Sequence, residues 1–428
     1  MFSRLQWLLL QLSRMLWVRA TAFSVLGILT ALVALVVKQY IPNHLPATIG
    51  ADAVDTLLQI IATSMLSVTI FSLSTMVAAY ASATSNTTPR ATHLLLTDST
   101  AQNALATFLG SFLFSLVSII VLQTGLYGDT GRVVLYAVTL GVIIVIVITL
   151  LRWSDYVLRL GRVSPTCDRV EAAATSAIRR RRASPYLAGQ PREAGETGIP
   201  EGTMPIKTDE FGYIEHIDMQ ALQETAEACE TEIYLVALPG HFAGAAQPLA
   251  RIKGALPEES IRKIRKAFSI SASRSFDQDP RFGVCVLSEI ASRALSPAIN
   301  DPGTAIDVLS RGARMLSLWS ENHPHAIEVK KEDSIRFPNV HVPPLELEEL
   351  FDDFFIPIAR DGAGLVEVGI HLQKMLLTLA SLGDRRYLRA AARQSAHALA
   401  RAEASLSLTD DIVRIQQAAA RVAKLADA

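Results

Sequence analysis

Uncharged apolar stretches divided by short polar ones dominate the first third of the chain. Ala20 to Val37 carries no charge, and neither does Thr56 to Pro89, Ala104 to Gly128 or Val133 to Leu151. A helix needs roughly 20 apolar residues to cross the hydrocarbon core of a bilayer. The pattern therefore predicts four transmembrane helices, at about 19–38, 56–80, 104–125 and 133–151. Arg4, Arg14 and Arg19 precede the first, and no small-residue cleavage site follows before Lys38, so it reads as a span rather than a removed signal peptide. Arg90 lies between the second and third, and Arg152, Arg159 and Arg162 follow the fourth. The opposite loops hold only Lys38 and Arg132, beside Asp52, Asp55 and Asp129. The positive-inside tendency then predicts cytoplasmic termini.

Beyond the fourth helix the pattern changes to that of an α+β cytosolic domain, mainly helical toward the C-terminus. A connecting helix and a Pro/Gly-rich linker occupy 161–205, after a transmembrane domain at 1–160. A small mixed β domain is expected at 206–256, where "FGYIEHID" alternates like a strand, "MQALQETAEACE" is helical and "TEIYLVAL" is β-rich. Within it, "PGHFAGAAQPLARI" resembles the half-barrel hairpin of lipoyl- and biotinyl-carrier domains, without a lysine at the tip to carry a prosthetic group. The remainder, 257–428, is predicted helical at about 281–295, 302–320, 345–359, 363–382, 384–406 and 409–426, with "HPHAIEVKKEDSIRFPNVHVPP" irregular between them. The run Arg179, Arg180, Arg181 and Arg182 reads either as a contact for anionic lipid headgroups or as a solvated helix end.

Composition adds mostly exclusions. Half of the 428 residues are hydrophobic and 19% are charged, with a net charge of −1 that provides no footprint for nucleic acid. Cys167, Cys229 and Cys285 lie far apart, which argues against a zinc knuckle or a disulfide scaffold. No metalloprotease, hydrolase, phosphate-loop or dinucleotide motif occurs, so neither an enzyme nor a cofactor is expected. His323, His325 and His341 read as exposed loop histidines rather than a metal site. The predicted membrane helices contain no Asp, Glu, Lys, Arg or His at depth, which disfavours an ion-coupled transporter.

The second membrane helix carries the strongest functional pattern. On a helical wheel, Ser64, Ser67, Ser74, Thr75, Ala78, Ser82 and Ser85 fall on one side, and Leu66, Ile70, Leu73, Met76, Val77 and Tyr80 on the other. The small side reads as a close-packing surface or as the hydroxyl lining of a pore between subunits, with Phe71 as a hydrophobic constriction.

The second candidate is the corner in "RALSPAINDPGTA", residues 293–305. Asp279-Pro280 and Asp301-Pro302 each fit an N-cap followed by proline at the first helical position, and Pro297 stops the intervening helix. Capping leaves a surplus of polar groups, namely Arg274, Asp277, Glu289, Arg293 and Asn300 with Asp301, expected near one corner. Glu289 and Arg293, four apart, are spaced to pair. The group is a candidate ligand site or subunit contact.

"QDPRFG…IASRALSPAINDPGTA" resembles the signature of the bacterial membrane-protein family Domain of Unknown Function 2254. The likeness extends to the Ser/Thr-rich second helix, the "TPR" after it and "GYIEHID…LVALPGHFAGAAQPLARI". It implies four N-terminal membrane helices with a cytosolic C-terminal part, and it brings no established activity. Gly303 departs from the pattern, where a larger residue is common, and implies a less rigid helix start. Together these readings predict a homo-oligomer in the bilayer forming an ion or small-solute pathway. The alternatives are a membrane-anchored sensor or scaffold and, from another class, a metal-dependent membrane enzyme.

Overall fold

The structure is a computed structural model and describes residues 16–37, 51–96, 98–124, 128–195, 198–320 and 335–426. Arg4, Arg14, Lys38, His323 and His325 lie outside the described residues. The chain divides into two compact units, one built from Leu8–Ser85 and Thr92–Pro165, the other including Asn86–Ala91 and Thr166–Ala428.

The first unit is helical. It draws on α1 (Leu16–Val37), α2 (Ala51–Asn86), α3 (Pro89–Leu96), α4 (Ser99–Gln123) and α5 (Gly128–Arg159). In α2, α4 and α5 the apolar run is long enough to cross a membrane. The expected first span coincides with α1, whose described apolar part, Trp17–Thr30, is shorter than that length. Helices α1 and α4 meet at two glycines. A Cβ on Gly27 would lie 2.6 Å from the Gly110 carbonyl oxygen, and one on Gly110 would lie 2.9 Å from that of Phe23. Apolar lipid provides little hydrophobic force between helices, so such backbone proximity is what holds them.

The second unit begins its main run with α6 (Val163–Ala183) and then forms two sheets. Strands β1 (Gly189–Pro191), β2 (Met204–Ile206), β3 (Gly212–Ile217), β4 (Ile233–Leu235), β5 (Phe242–Ala243), β6 (Ala250–Ile252), β7 (Phe268–Ser271) and β8 (Phe337–Val342) alternate with α7 (Met219–Ala228) and α8 (Glu258–Lys266). One sheet runs β1-β8-β4-β6-β2 and the other β5-β3-β7. The sheets draw on residues well beyond 206–256. Strands β1 and β2 come mostly from the predicted linker, and β8 from the stretch expected to be irregular. Runs of three residues are too short to show alternation, and Pro338 reads as a strand breaker. The half-barrel hairpin is not formed either, because β5 joins one sheet and β6 the other.

Among the described residues six further helices follow β7 in sequence, with β8 between the second and third. They are α9 (Pro280–Ala294), α10 (Pro302–Ser317), α11 (Leu347–Asp361), α12 (Val366–Ala380) and α13 (Arg385–Ser405), and α14 (Thr409–Ala426) closes the chain. Their bounds follow the predicted ones within a few residues. Phe351, Phe354, Phe355 and Tyr387 are fully buried among them. The Tyr387 hydroxyl donates to the Leu316 carbonyl at 2.6 Å, which satisfies the one polar atom this ring brings into the core.

Candidate functional site

Helix α2 presents three faces. Val54, Leu58, Ile61, Met65, Ser72, Met76 and Ala83 are buried, in steps of three, four or seven residues that keep one seam turned inward. Leu66, Ile70, Leu73 and Val77 are exposed bulky residues on a second side, suited to lipid, while exposed Ile60 falls on the same side as Ala78. Ser67, Ser74, Ala78, Ser82 and Ser85 are exposed as well, Ser64 and Thr75 are half-buried, and Phe71 is 69% exposed. At 100° per residue the three faces are centred about 120° apart. The small, hydroxylated face is therefore not a packing surface within its own unit.

The hydroxyls on this face do not require an outside partner. Ser64 donates to the Ile60 carbonyl at 2.6 Å, Ser67 to Thr63 at 3.0 Å and Thr75 to Phe71 at 2.9 Å, each one turn back, while Ser85 donates to Ser82 at 2.8 Å. Such back-bonding satisfies the proton and leaves the oxygen as an acceptor on the open face.

The polar residues expected at one corner are distributed along α9 instead. Asp279 caps α9, accepting from the Arg281 and Phe282 amides at 3.1 and 3.2 Å. It also takes a 2.7 Å bond from Arg274 Nε, so the partner of Arg274 is this cap rather than Asp277. Asp277 uses its carbonyl, which accepts from Arg180 at 2.9 Å. Asn300 and Asp301 follow the other end of α9, about 20 Å away at 1.5 Å per residue. The length of that helix is what separates the two groups.

Glu289 pairs with Arg90 at 2.6 Å, not with Arg293. This bond joins the "TPR" segment after α2 to the helix leading into the corner, both inside the second unit. Arg293 has a buried Nε with no partner. Asn300 adopts φ 48°, a left-handed conformation that Asn tolerates better than most residues. Asp301 then caps α10, accepting from the Thr304 amide at 3.0 Å and its hydroxyl at 2.5 Å. These hydrogen bonds hold its carboxyl below the usual carboxylate range. The corner is thus a backbone device, and its side chains do not converge on a pocket.

Arg180, Arg181 and Arg182 are taken up within the protein, Arg181 by burial with its Nε and Nη2 unpaired. Arg180 bonds Ser176 and Asp277, Arg182 bonds the Leu318 carbonyl, and Arg181 is 5% exposed, with burial pulling its guanidinium down to about 10. Only Arg179 and Arg180 are exposed. His341 stacks on Tyr234 with ring centroids 4.4 Å apart, and no group of three His, Cys, Asp or Glu suited to a metal occurs among the described residues.

Sequence reasoning missed one cavity in the second unit, of about 400 Å³. Arg192, Arg251 and His241 line it together with Glu346, Glu349 and several aliphatic and proline residues. His241 reaches it from a turn in which its amide donates to the Leu238 carbonyl at 3.0 Å. Pro239 and Gly240 occupy the centre, Gly240 at φ +93°, a type II arrangement that requires glycine. Burial and the nearby Arg281 hold the His241 imidazole below its usual value. The "LPGH" turn was readable; the arginines, from a linker and a strand, carried no local signal.

An uncharacterized protein of Mycobacterium tuberculosis and another of Mycobacterium bovis are each 32% identical to this chain over 116 residues. The match covers 26% of this chain and 22% of either relative, so the aligned region spans about a fifth of their length. No solved structure matches the chain. The model of a family described as "Predicted membrane protein (DUF2254)" matches residues 13–378, and the chain belongs to that family.

Proposed function

We propose that the protein is a homo-oligomer of the bacterial inner membrane in which copies of α2 surround an ion or small-solute pathway. The observation that carries this reading is the Ser64–Ser85 face, small, hydroxylated and uncovered by its own unit. Lipid is matched by the bulky face a third of a turn away, so the third face suits other copies and the water between them. Phe71 narrows the pathway at mid-helix. Helix α1 serves as a further span, completing four, and the basic flanks Arg90, Arg152, Arg159 and Arg162 support a cytoplasmic second unit. That unit assembles or controls the pathway and performs no catalytic step.

Purified protein in planar bilayers tests this directly. Discrete conductance that rises in Phe71→Ala supports the reading; absence of conductance in both proteins sinks it.

A further inference from the structure

We propose that the cavity beside Arg192 and Arg251 binds a small organic anion. Its carboxylate or phosphate head would meet the two guanidinium groups and its aliphatic body would lie against Val236, Leu238 and Leu345.

Neutral oxygens hold both arginines. Arg192 Nη1 donates to the carbonyls of Glu193 and Gly195 at 2.8 and 2.7 Å, and Nη2 to that of Leu235 at 2.7 Å. Its Nε is buried and has no partner. Arg251 donates from Nε to the Thr203 hydroxyl at 2.9 Å and from Nη2 to the Thr203 carbonyl at 3.0 Å. Every one of these acceptors is neutral, and neither arginine forms an ion pair among the described residues. Arg311, by contrast, is partly buried against three carboxylates, those of Asp168, Glu171 and Asp307. A partly buried cation without a counter-ion is costly, and an incoming carboxylate or phosphate relieves that cost through charge-assisted bonds.

Both arginines line the same cavity. Arg251 on β6 lies opposite Tyr234 on β4, and the next residue of β4, Leu235, is the one whose carbonyl holds Arg192. Backbone and threonine oxygens fix both side chains, so little rotamer freedom is lost when an anion docks. The volume of about 400 Å³ is that of a metabolite-sized site.

The two carboxylates of the lining narrow the class of ligand. Glu349 is neutralised by Arg281. Glu346 has no such partner in the cavity, and burial beside Glu348 and Glu349 pushes its carboxyl up. A second anionic group meeting Glu346 is repelled, whereas a hydroxyl or amine is accepted. A ligand with one anionic end therefore fits better than a dicarboxylate.

Binding is measured on the full chain in lipid nanodiscs by calorimetry at constant ionic strength, independently of any conductance. The probes are hexanoate, glycerol phosphate and inorganic phosphate, with succinate as the two-ended control. Hexanoate or glycerol phosphate is expected to bind, at least tenfold tighter than succinate, and preference between them identifies the head. Arg192→Gln and Arg251→Gln each weaken binding at least tenfold, Leu345→Trp abolishes it by filling the cavity, and Arg265→Gln, outside the cavity, leaves it unchanged. No heat from any probe at millimolar concentration overturns the proposal. So does binding that survives both the Arg192→Gln/Arg251→Gln double variant and Leu345→Trp. Binding of inorganic phosphate alone, with no gain from an organic body, also overturns it.

Discussion

Replacing Asp279 by alanine is expected to destabilise the second unit more than any exposed charge change in it. Two losses combine. The cap of α9 disappears, worth about 1 kcal/mol, and Arg274 loses its carboxylate. The side chain of Asp279 is 2% exposed and that of Arg274 19%, so the pair is largely desolvated. Leaving one member of a buried pair uncompensated costs about 3–5 kcal/mol. Arg274 retains some exposure and its position 5.3 Å from the Phe282 ring centroid, which favours the lower end. The expected loss is about 4 kcal/mol for Asp279→Ala and about 3 kcal/mol for Arg274→Met. The double variant removes both charges, leaving only the lost cap and some packing, and is expected to lose about 2 kcal/mol, a coupling on the order of 5 kcal/mol. Urea unfolding followed by Trp319 fluorescence, with the other three tryptophans replaced by phenylalanine, measures all four corners of the cycle. Additivity within about 0.5 kcal/mol would refute the claim that the cap and Arg274 act as one buried pair.

Glu289→Gln is expected to cost under about 1 kcal/mol in the same assay, because Arg90 is 60% exposed and the pair is screened; a loss above about 2 kcal/mol contradicts that. In the membrane unit, Gly110→Leu forces a side chain onto the Phe23 backbone and is expected to lower stability by about 1–3 kcal/mol. Thermal unfolding in detergent checks it, and an unchanged midpoint rules out the close approach. Burial pushes the Cys167 and Cys285 thiols up to about 12, so at pH 7.5 iodoacetamide should modify both slowly, by mass spectrometry of the native chain; rapid modification of either contradicts that burial. The Asp301 carboxyl is held below its ordinary value, so its cap is intact at neutral pH and weakens as pH falls through that depressed value. Hydrogen exchange at the Thr304 amide, corrected for intrinsic rate, should accelerate only in that acid window, and Asp301→Asn should flatten the profile.

Local chemistry was legible in the sequence and long-range pairing was not. Asp279-Pro280 and Asp301-Pro302 announce two helix starts because a cap acts within three residues, and both caps form. The long apolar runs of α2, α4 and α5 were equally plain. The Glu289–Arg90 bond spans 199 positions, and no local rule selects it over Arg293. Asn300 reads as a surplus polar group until its backbone angle shows what it does. Strands β1 and β2 are too brief for a period to emerge, so the cavity that β4 and β6 help to build was invisible as well. The hydroxyl stripe was visible at once. Its exposure had to come from the structure, because a wheel separates faces without saying which is covered.

Whether water reaches that stripe is the measurement closest to the central claim. In a chain with its three native cysteines replaced, single cysteines at 64, 67, 71, 74 and 78 would be compared with cysteines at 70, 73 and 77 in intact membranes. The account predicts that a charged, membrane-impermeant methanethiosulfonate modifies the first set with helical periodicity and leaves the second set unmodified. Equal inertness of both sets, with the protein shown to be folded and inserted, contradicts a water-lined pathway along α2.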